Sequence, residues 1–400
     1  MQNTPKGLRL HIGIFGRRNV GKSSVLNALT NQDAAIVSDT PGTTTDPVEK
    51  PMEFLPLGPV LFIDTAGLDD TGALGELRKQ RSVKAFEHSD IALLITESDI
   101  WGEYEEMLMT RMRERQIPVL AVLNKIDLDT GAKVKELLDK KKVKYVCLSA
   151  VKKTGVAALK QAIVNTVPDN WYKQQGILDN IISAGDTIVL VIPIDKEAPK
   201  GRIIMPQVQT LRDILDKEAN AVVTNEHGLK ESINNLKKKP RLVITDSQVF
   251  EQVHESTPKN IMMTSFSIVF ARYKGDLNTF ITGAEKLLSL KETDRVLIAE
   301  ACTHHPIGDD IGRDKIPRWL REKTGPGLKF DIVSGKDFPQ DLSPYALIIH
   351  CGACMFNRRQ MLSRICQALE QNVPITNYGL VIAQVHNILD RVLIPYKEDA

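Results

Sequence analysis

Residues 16–23 read Gly-Arg-Arg-Asn-Val-Gly-Lys-Ser, and this stretch decides the fold of the amino-terminal part of the chain. The apolar run Leu8–Phe15 before it predicts a buried strand, and Lys22–Thr30 after it predicts a helix. A glycine-rich loop of this pattern between a strand and a helix is typical of phosphate-binding loops. Its backbone N–H groups surround a phosphate, and the helix N-terminus adds the positive end of its dipole.

The polar side chains of this loop have expected roles at a nucleotide. Lys22 brings a positive charge to the β- and γ-phosphates, and Ser23 offers its hydroxyl to Mg²⁺. The other residues of the loop that we expect to contact the nucleotide are Gly16, Asn19, Val20, Gly21 and Ser24.

Two later motifs distinguish guanine from adenine. Asn124-Lys125-Ile126-Asp127 follows a predicted strand, and the Asp127 carboxylate can accept hydrogen bonds from N1 and N2 of guanine, which adenine cannot offer. Ser149-Ala150, after another predicted strand, resembles the backbone loop that contacts guanine O6. The predicted nucleotide is therefore GTP or GDP.

A fourth motif, Asp64-Thr65-Ala66-Gly67, follows the predicted strand Val60–Asp64. Asp64 can hold Mg²⁺ through water, and the N–H group of Gly67 can face the γ-phosphate. Four motifs in this order resemble the translation-factor-related small GTPases. That resemblance implies hydrolysis of GTP to GDP and phosphate.

The segment Pro41–Asp46 resembles the first switch loop of GTPases that act in tRNA modification and ribosome assembly. This resemblance implies a magnesium-binding threonine, for which Thr44 is preferred over Thr43. It also implies that Asn19 holds K⁺ against the phosphates, although a loop-capping side chain is the alternative. Leu68 stands where Ras-like proteins have glutamine and cannot orient the attacking water, so intrinsic turnover is expected to be slow.

Strand-like and helix-like segments alternate along the first 170 residues, with further predicted strands at Ile91–Ile95, Pro118–Leu123 and Tyr145–Leu148. This alternation predicts an α/β fold with a mostly parallel, doubly wound sheet. The same alternation continues in two smaller blocks. The sequence thus predicts a P-loop GTPase domain over residues 8–170, followed by two smaller α/β domains over residues 171–265 and 266–400.

Composition argues against several other kinds of protein. The 400 residues are 42% hydrophobic and carry a formal net charge of only +2, so nucleic acid is not expected as a partner. No apolar stretch approaches the ~20 residues of a membrane-spanning helix, so no membrane association is expected. Five scattered cysteines and the absence of a signal-peptide pattern indicate the reducing cytoplasm.

Cysteine and histidine residues cluster in the carboxy-terminal block. Cys302-Thr303-His304 follows the predicted strand Arg295–Ala299, and His350-Cys351-Gly352-Ala353-Cys354 follows Ala346–His350. The carboxyl ends of parallel strands meet at one edge of a sheet, so we expect three thiolates to converge with two imidazoles nearby. Thiolates in such an arrangement bind zinc or an iron–sulfur cluster.

This pattern, combined with the GTPase motifs, resembles the HydF family, the maturation GTPases of FeFe-hydrogenase, along the whole chain. The resemblance implies a 4Fe–4S cluster on Cys302, Cys351 and Cys354 with an exchangeable fourth site. His304, His350, Asp309 and Glu300 are candidates for that site or its surroundings. It also implies a scaffold that receives a diiron subcluster from two radical-SAM maturases and delivers it to apo FeFe-hydrogenase.

A homodimer is also expected, with its contact in the middle domain. The resemblance implies it, and the apolar run Ile261–Phe270 is longer than the core of such a small domain needs, which predicts an exposed interface.

Two alternatives stay open. A zinc-stabilised regulatory GTPase would use Cys302, His304, Cys351 and Cys354 as a structural tetrahedron. An RNA- or ribosome-assembly GTPase is suggested by the switch loop, although the charge balance supplies no basic module.

Overall fold

A computed structural model describes residues 7, 9–30, 48–65, 86, 88–168, 176–193, 203–301, 310–335 and 337–397. The chain divides into two compact units, residues 1–174 and 175–400. The first unit contains one sheet with two hydrophobic cores, and the second contains two sheets with one hydrophobic core.

The first unit is built on a six-stranded sheet with the order β2-β3-β1-β4-β5-β6. Its strands are β1 (Leu10–Phe15), β2 (Val48–Phe54), β3 (Gly58–Asp64), β4 (Ile91–Glu97), β5 (Val119–Asn124) and β6 (Tyr145–Cys147). Neighbours are parallel except for β2, which pairs antiparallel with β3. The sequence pattern did not reveal β2, because two glutamates, a lysine and a proline interrupt it. Such residues are tolerated at a sheet edge.

Helices cover both faces of this sheet. Its side chains alternate between two cores: α1 (Lys22–Thr30) and α4 (Val156–Thr166) pack into one of them. The other core receives α2 (Glu103–Glu114) and α3 (Ala132–Lys140). A mostly parallel sheet between two helical layers confirms the predicted doubly wound fold.

The second unit contains two four-stranded sheets in which every neighbouring pair is parallel. The first, in the order β10-β9-β7-β8, consists of β7 (Thr187–Val191), β8 (Asn220–Thr224), β9 (Leu242–Thr245) and β10 (Met262–Ser265). The second, in the order β12-β11-β13-β14, consists of β11 (Arg295–Glu300), β12 (Lys329–Ser334), β13 (Leu347–His350) and β14 (Ile375–Asn377).

Among the described residues of this unit, the α-helices are α5 (Met205–Asp216), α6 (Leu229–Asn234), α7 (Phe250–Ser256), α8 (Phe266–Lys274), α9 (Leu277–Glu285), α10 (Ile316–Thr324), α11 (Arg358–Glu370), α12 (Tyr378–Val385) and α13 (Leu389–Val392). Side chains from both sheets and from these helices contribute to one continuous hydrophobic core.

The apolar run Ile261–Phe270 lies inside that core. It forms β10 and the start of α8, and Met263, Ile268 and Phe270 are fully buried. The expectation that this run is an exposed interface is therefore wrong, because two successive elements use its apolar residues for packing within the unit. Exposed apolar side chains of this region lie instead on α5 and on the edge strand β8.

Candidate functional site

The loop between β1 and α1 has a backbone that only glycine permits at two positions. Gly16 has a φ of +146°, and a Cβ atom there would lie 2.1 Å from the carbonyl oxygen of Ile95. Gly21 has a φ of +90°, and its Cβ would lie 2.4 Å from Nδ2 of Asn124. The loop is therefore fitted closely against the ends of β4 and β5, as a backbone cradle for a phosphate requires.

Lys22 lies at the first position of α1 and bends back over the loop. Its Nζ donates to the carbonyl oxygens of Gly16 at 2.9 Å and of Arg17 at 2.6 Å. The ammonium group thus lies directly at the concave side of the loop. It can supply the positive charge that the β- and γ-phosphates of a nucleotide need.

Ser23 and Asp64 meet beside this loop. The Ser23 hydroxyl donates to Oδ2 of Asp64 at 3.1 Å. Oδ1 of Asp64 is buried, and no described residue hydrogen-bonds to it. Burial raises the pKa of Asp64 although Lys22 and Ser23 act in the opposite direction. A hydroxyl next to a carboxylate oxygen that lacks a donor fits the oxygen ligands that Mg²⁺ prefers.

Asn124 links the loops that were expected to read the phosphates and the base. Its Nδ2 donates to the carbonyl oxygen of Val20 at 2.9 Å, and its Oδ1 accepts from the N–H group of Ala150 at 3.1 Å. The side chain is almost fully buried, so both bonds are shielded from water. Three motifs that are far apart in the sequence therefore form one connected surface.

Asp127 is half-buried beside Ser149. A hydrogen bond from Ser149 lowers the pKa of Asp127, which keeps the carboxylate charged and able to accept from guanine. Lys125 adopts a left-handed backbone conformation, and its Nζ forms an ion pair with Glu97 at 2.5 Å.

Only some of the remaining candidate nucleotide-binding residues lie within the described part of the chain. Asn19 and Ser24 are exposed, Asn19 with a left-handed backbone at the tip of the loop. Thr44, Gly67 and Leu68 lie outside the described residues.

The second candidate site lies at the carboxyl edge of the β11–β14 sheet. The strand β11 has β12 on one side and β13 on the other, so the order of the strands reverses between β11 and β13. Ligands of open parallel sheets bind in the crevice at such a reversal. Cys351 follows β13, and its Sγ accepts the N–H group of Ala301, which follows β11, at 3.0 Å.

Cys354 lies three residues further on and is half-buried. Between the two cysteines, Ala353 has a φ of +52°, which turns the chain. The thiol of Cys351 and the start of the segment that leads to Cys302 therefore meet in one crevice. A backbone N–H group aimed at sulfur stabilises a thiolate, so the donor chemistry fits a thiolate-held metal centre.

Cys302, His304 and Asp309 lie outside the described residues. Within the part of the chain that is described, no three His, Cys, Asp or Glu side chains come together as a metal-binding group.

His350 contacts other groups of the protein through both of its ring nitrogens. The ring is fully buried; its Nδ1 is 2.9 Å from the carbonyl oxygen of Cys351, and its Nε2 is 2.8 Å from Nη1 of Arg364. Burial, reinforced by the Arg364 charge, lowers the pKa of His350 to about 3, so the ring is neutral. The tautomer with the proton on Nδ1 satisfies both contacts, and neither nitrogen is then left to bind a metal.

Glu300, another candidate for the fourth cluster position, is also engaged. Its Oε2 accepts from Arg313 at 2.9 Å and from the Ser334 hydroxyl at 2.9 Å. The sequence pattern identified Glu300 and His350 as candidates. It gave no indication that Arg313 would bind Glu300 or that Arg364 would contact His350.

Three family models match the chain. The 50S ribosome-binding GTPase model matches residues 11–125, the hydrogen maturase F dimerization domain matches residues 177–275, and the hydrogen maturase F tetramerization domain matches residues 278–395.

Among curated proteins, the tRNA modification GTPase MnmE of Cyanothece sp. is 37% identical over 163 residues, which are 40% of this chain and 34% of that protein. GTPase Der of Wolinella succinogenes is 39% identical over 132 residues, which are 32% of this chain and 27% of that protein. The chain thus spans about a third of the length of these relatives. Among solved structures, the match to the G domain of the T. maritima FeoB iron transporter is 24% identical, covers 40% of this chain and 99% of that chain, and has a TM-score of 0.32.

The phosphate loop, the sheet around it and the GTPase matches identify the protein as a P-loop GTPase, which confirms the predicted enzyme class. The ligands of this domain are accordingly GTP or GDP with Mg²⁺. The two hydrogen maturase F models together match more than half of the chain, and the chain belongs to the hydrogen maturase F (HydF) family. Both of these models describe self-associating domains. None of the helices in the described ranges has the length and apolar character needed to span a bilayer.

Proposed function

We propose that this protein is a GTP-hydrolysing scaffold that carries a 4Fe–4S cluster and delivers a diiron subcluster to apo FeFe-hydrogenase. The observation that carries the proposal is the Cys351 thiol, held by a backbone N–H group at the strand-order reversal of a HydF-type chain. Two radical-SAM maturases would supply the diiron cargo in the cytoplasm. The work would be divided between a GTP domain over residues 8–170, a dimerisation domain over 171–265 and a cluster domain over 266–400.

In the GTP domain, Lys22 would neutralise the phosphates while Ser23, Asp64 and Thr44 hold Mg²⁺. The N–H group of Gly67 would contact the γ-phosphate. The guanine base would be read by Asp127, and Asn124 and Ala150 would fix the surrounding loops.

Turnover would be slow, since Leu68 cannot orient water. If Asn19 holds K⁺ against the phosphates, turnover should be faster in potassium chloride than in sodium chloride. Equal rates in the two salts would contradict this role.

In the cluster domain, the thiolates of Cys302, Cys351 and Cys354 would bind three of the four irons. A cluster held in this way, when bound, supplies one iron with an exchangeable ligand, to which a diiron precursor can attach. We propose His304 or Asp309 for the fourth position, because His350 and Glu300 are engaged by Arg364 and Arg313.

Anaerobic purification of the full chain, with metal analysis and an absorption spectrum, tests the proposal directly. About four irons per chain and a brown, thiolate-to-iron absorption are expected. One zinc per chain and a colourless protein would instead support the zinc-stabilised regulatory GTPase. Tight RNA binding by metal-free protein would favour an RNA- or ribosome-assembly GTPase.

For the homodimer we propose a second copy of this chain on the face formed by α5 and β8. The dimerization-domain match includes both elements. Val208 and Leu215 on α5 and Val223 on β8 are about half exposed, and β8 is an edge strand. An unpaired edge beside exposed apolar side chains is suited to symmetric pairing. Light scattering should detect monomers for Val208→Glu combined with Leu215→Glu; an unchanged mass would place the contact elsewhere.

A further inference from the structure

The side chain of Arg17 reaches from the phosphate loop to α2. Its Nε and Nη2 donate to Oε1 and Oε2 of Glu105 at 2.8 and 3.0 Å, which makes a bidentate pair. The guanidinium also lies over the ring of Tyr104, 4.9 Å from its centre. The phosphate-loop pattern leaves the residue after its first glycine unspecified, so the pattern does not require this contact.

Glu105 is a buried carboxylate whose stability depends on its contact with Arg17. Its carboxylate is fully buried, and its Oε2 also accepts from the N–H group of Gly102 at 2.9 Å. A buried carboxylate that loses its cation is strongly destabilised, whereas a bidentate guanidinium satisfies both of its oxygens. The pair therefore holds the beginning of the phosphate loop to the first turn of α2.

The backbone of Arg17 also accepts a hydrogen bond from Lys22, whose Nζ donates to its carbonyl oxygen at 2.6 Å. The Lys22 contact and the Glu105 contact are not equivalent. Lys22 has to direct its charge to the phosphates when a nucleotide binds, while the Glu105 contact is made by the side chain of Arg17 without Lys22 and can persist. Arg17 is thus the residue that can keep the loop in place as Lys22 changes partner.

The first turn of α2 is also connected to the guanine-reading loop. We call residues 97–105 the connecting segment. At its start, Glu97 pairs with Lys125, and the Ser98 hydroxyl donates to the carbonyl oxygen of Asp129 at 2.7 Å. At its end, Glu105 holds Arg17. One short segment therefore contacts both loops that a bound GTP would touch.

We propose that Arg17 and Glu105 are positioning residues for nucleotide binding. They hold the phosphate loop in the conformation that accepts the phosphates of GDP and GTP, and they join it through the connecting segment to the guanine-reading loop. Neither residue acts on the phosphates directly. The inference rests on the proposed GTP site.

The test compares Arg17→Lys, Glu105→Gln and the double variant in the full-length protein. Lysine cannot form the bidentate contact, and glutamine lacks the charge, so each single variant should raise the Kd for GDP about tenfold. The KM for GTP should rise in parallel while kcat stays within about twofold, since Lys22 and Ser23 are intact. The double variant should bind GDP about as well as the weaker single variant, because the two changes break the same interaction.

Glu114→Gln is the matched control. Glu114 is an exposed carboxylate in the last turn of α2 and lies outside the connecting segment, so GDP affinity should be unchanged. Unaltered GDP affinity in both single variants, or additive losses in the double variant, would overturn the proposal. A lower melting temperature with parental GDP affinity would also overturn it, because that result describes a purely structural pair.

If the proposed GTP site itself is wrong, the Lys22→Ala variant should bind GDP as well as the parent protein does. If Glu105→Gln does not fold, Arg17→Lys decides the question alone. The side chain of Arg17 is a third exposed, so its replacement is the milder change.

Discussion

The phosphate loop and the carboxyl edge of the β11–β14 sheet differ in how their residues come together. The loop places its polar groups within eight consecutive residues, between a strand and the helix that follows it. At the sheet edge, Ala301 and Cys351 are 50 residues apart and meet because β11 and β13 are neighbours. The geometry of a contiguous motif can therefore be predicted from the sequence. The geometry of a site whose residues come together through the order of strands in a sheet cannot.

The two regions also differ in how far their polar side chains are hydrogen-bonded to other residues. Asp64 keeps one buried carboxylate oxygen without a partner among the described residues, and Asp127 is half-buried beside Ser149. At the sheet edge, His350 and Glu300 are buried and bonded to Arg364 and Arg313. In the first region, the Asp64 oxygen can accept a ligand. In the second, the corresponding side chains are bonded to arginines, so we propose that the cysteine thiolates bind the metal.

The largest expected effect is that of Lys22→Ala. Removing the positive charge from the phosphate cradle should lower kcat/KM for GTP at least ~10²-fold, the scale seen when one transition-state donor is lost. Iron per chain should stay at the parental value, because the cysteines lie in the other compact unit. Phosphate release and iron analysis measure the two effects.

Lys140→Ala is the control for this variant, since Lys140 is an exposed lysine that pairs with Glu136 on α3. Parental turnover in Lys22→Ala would show that the loop is not the hydrolytic site.

Asp127→Asn should have the next largest effect. The amide replaces an acceptor oxygen by a donor, so GTP affinity should fall by about 10- to 100-fold, and xanthine nucleotides should become the better ligands. Competition binding with GTP and XTP measures the change in preference. A variant that still prefers GTP would mean that Asp127 does not read the base.

A smaller effect, on stability alone, is expected for His350→Ala. Arg364 would lose the acceptor of one buried N–H group and a cavity would remain, at a cost of about 2–4 kcal/mol in the free energy of unfolding. Urea denaturation measures this loss. Iron per folded chain should be unchanged, because both ring nitrogens are engaged elsewhere. Iron loss as complete as in a cysteine variant would make His350 a ligand.

The sequence predicted most of the first unit. The eight-residue loop, the strands that precede each motif and the alternation of strands with helices led to the observed doubly wound sheet. The strand β2 was missed because its charged residues and proline conceal the pattern of an edge strand. The links through Asn124 and Glu105 could not be foreseen either, since they join residues about 90 to 100 positions apart.

In the second unit, the sequence pattern identified notable residues but did not predict the contacts that these residues make. The run Ile261–Phe270 was apolar enough for an interface, but β10 and α8 bury it. His350 had the spacing of a ligand, but whether an imidazole binds a metal depends on its second nitrogen and its neighbours. Arg364, whose Nη1 contacts Nε2 of His350, comes from a helix that follows in the sequence and gives no recognisable signal.

The most direct test of the account measures iron and GTP turnover together in Cys351→Ala, with Cys366→Ala as the control. Cys366 is an exposed cysteine on α11 that has no proposed role. Cys351→Ala should lose its iron, because two remaining thiolates cannot retain a cluster, while GTP turnover stays within about twofold of the parent. Cys366→Ala should keep both. Full iron in Cys351→Ala, or GTP turnover that falls together with the iron, would contradict the account.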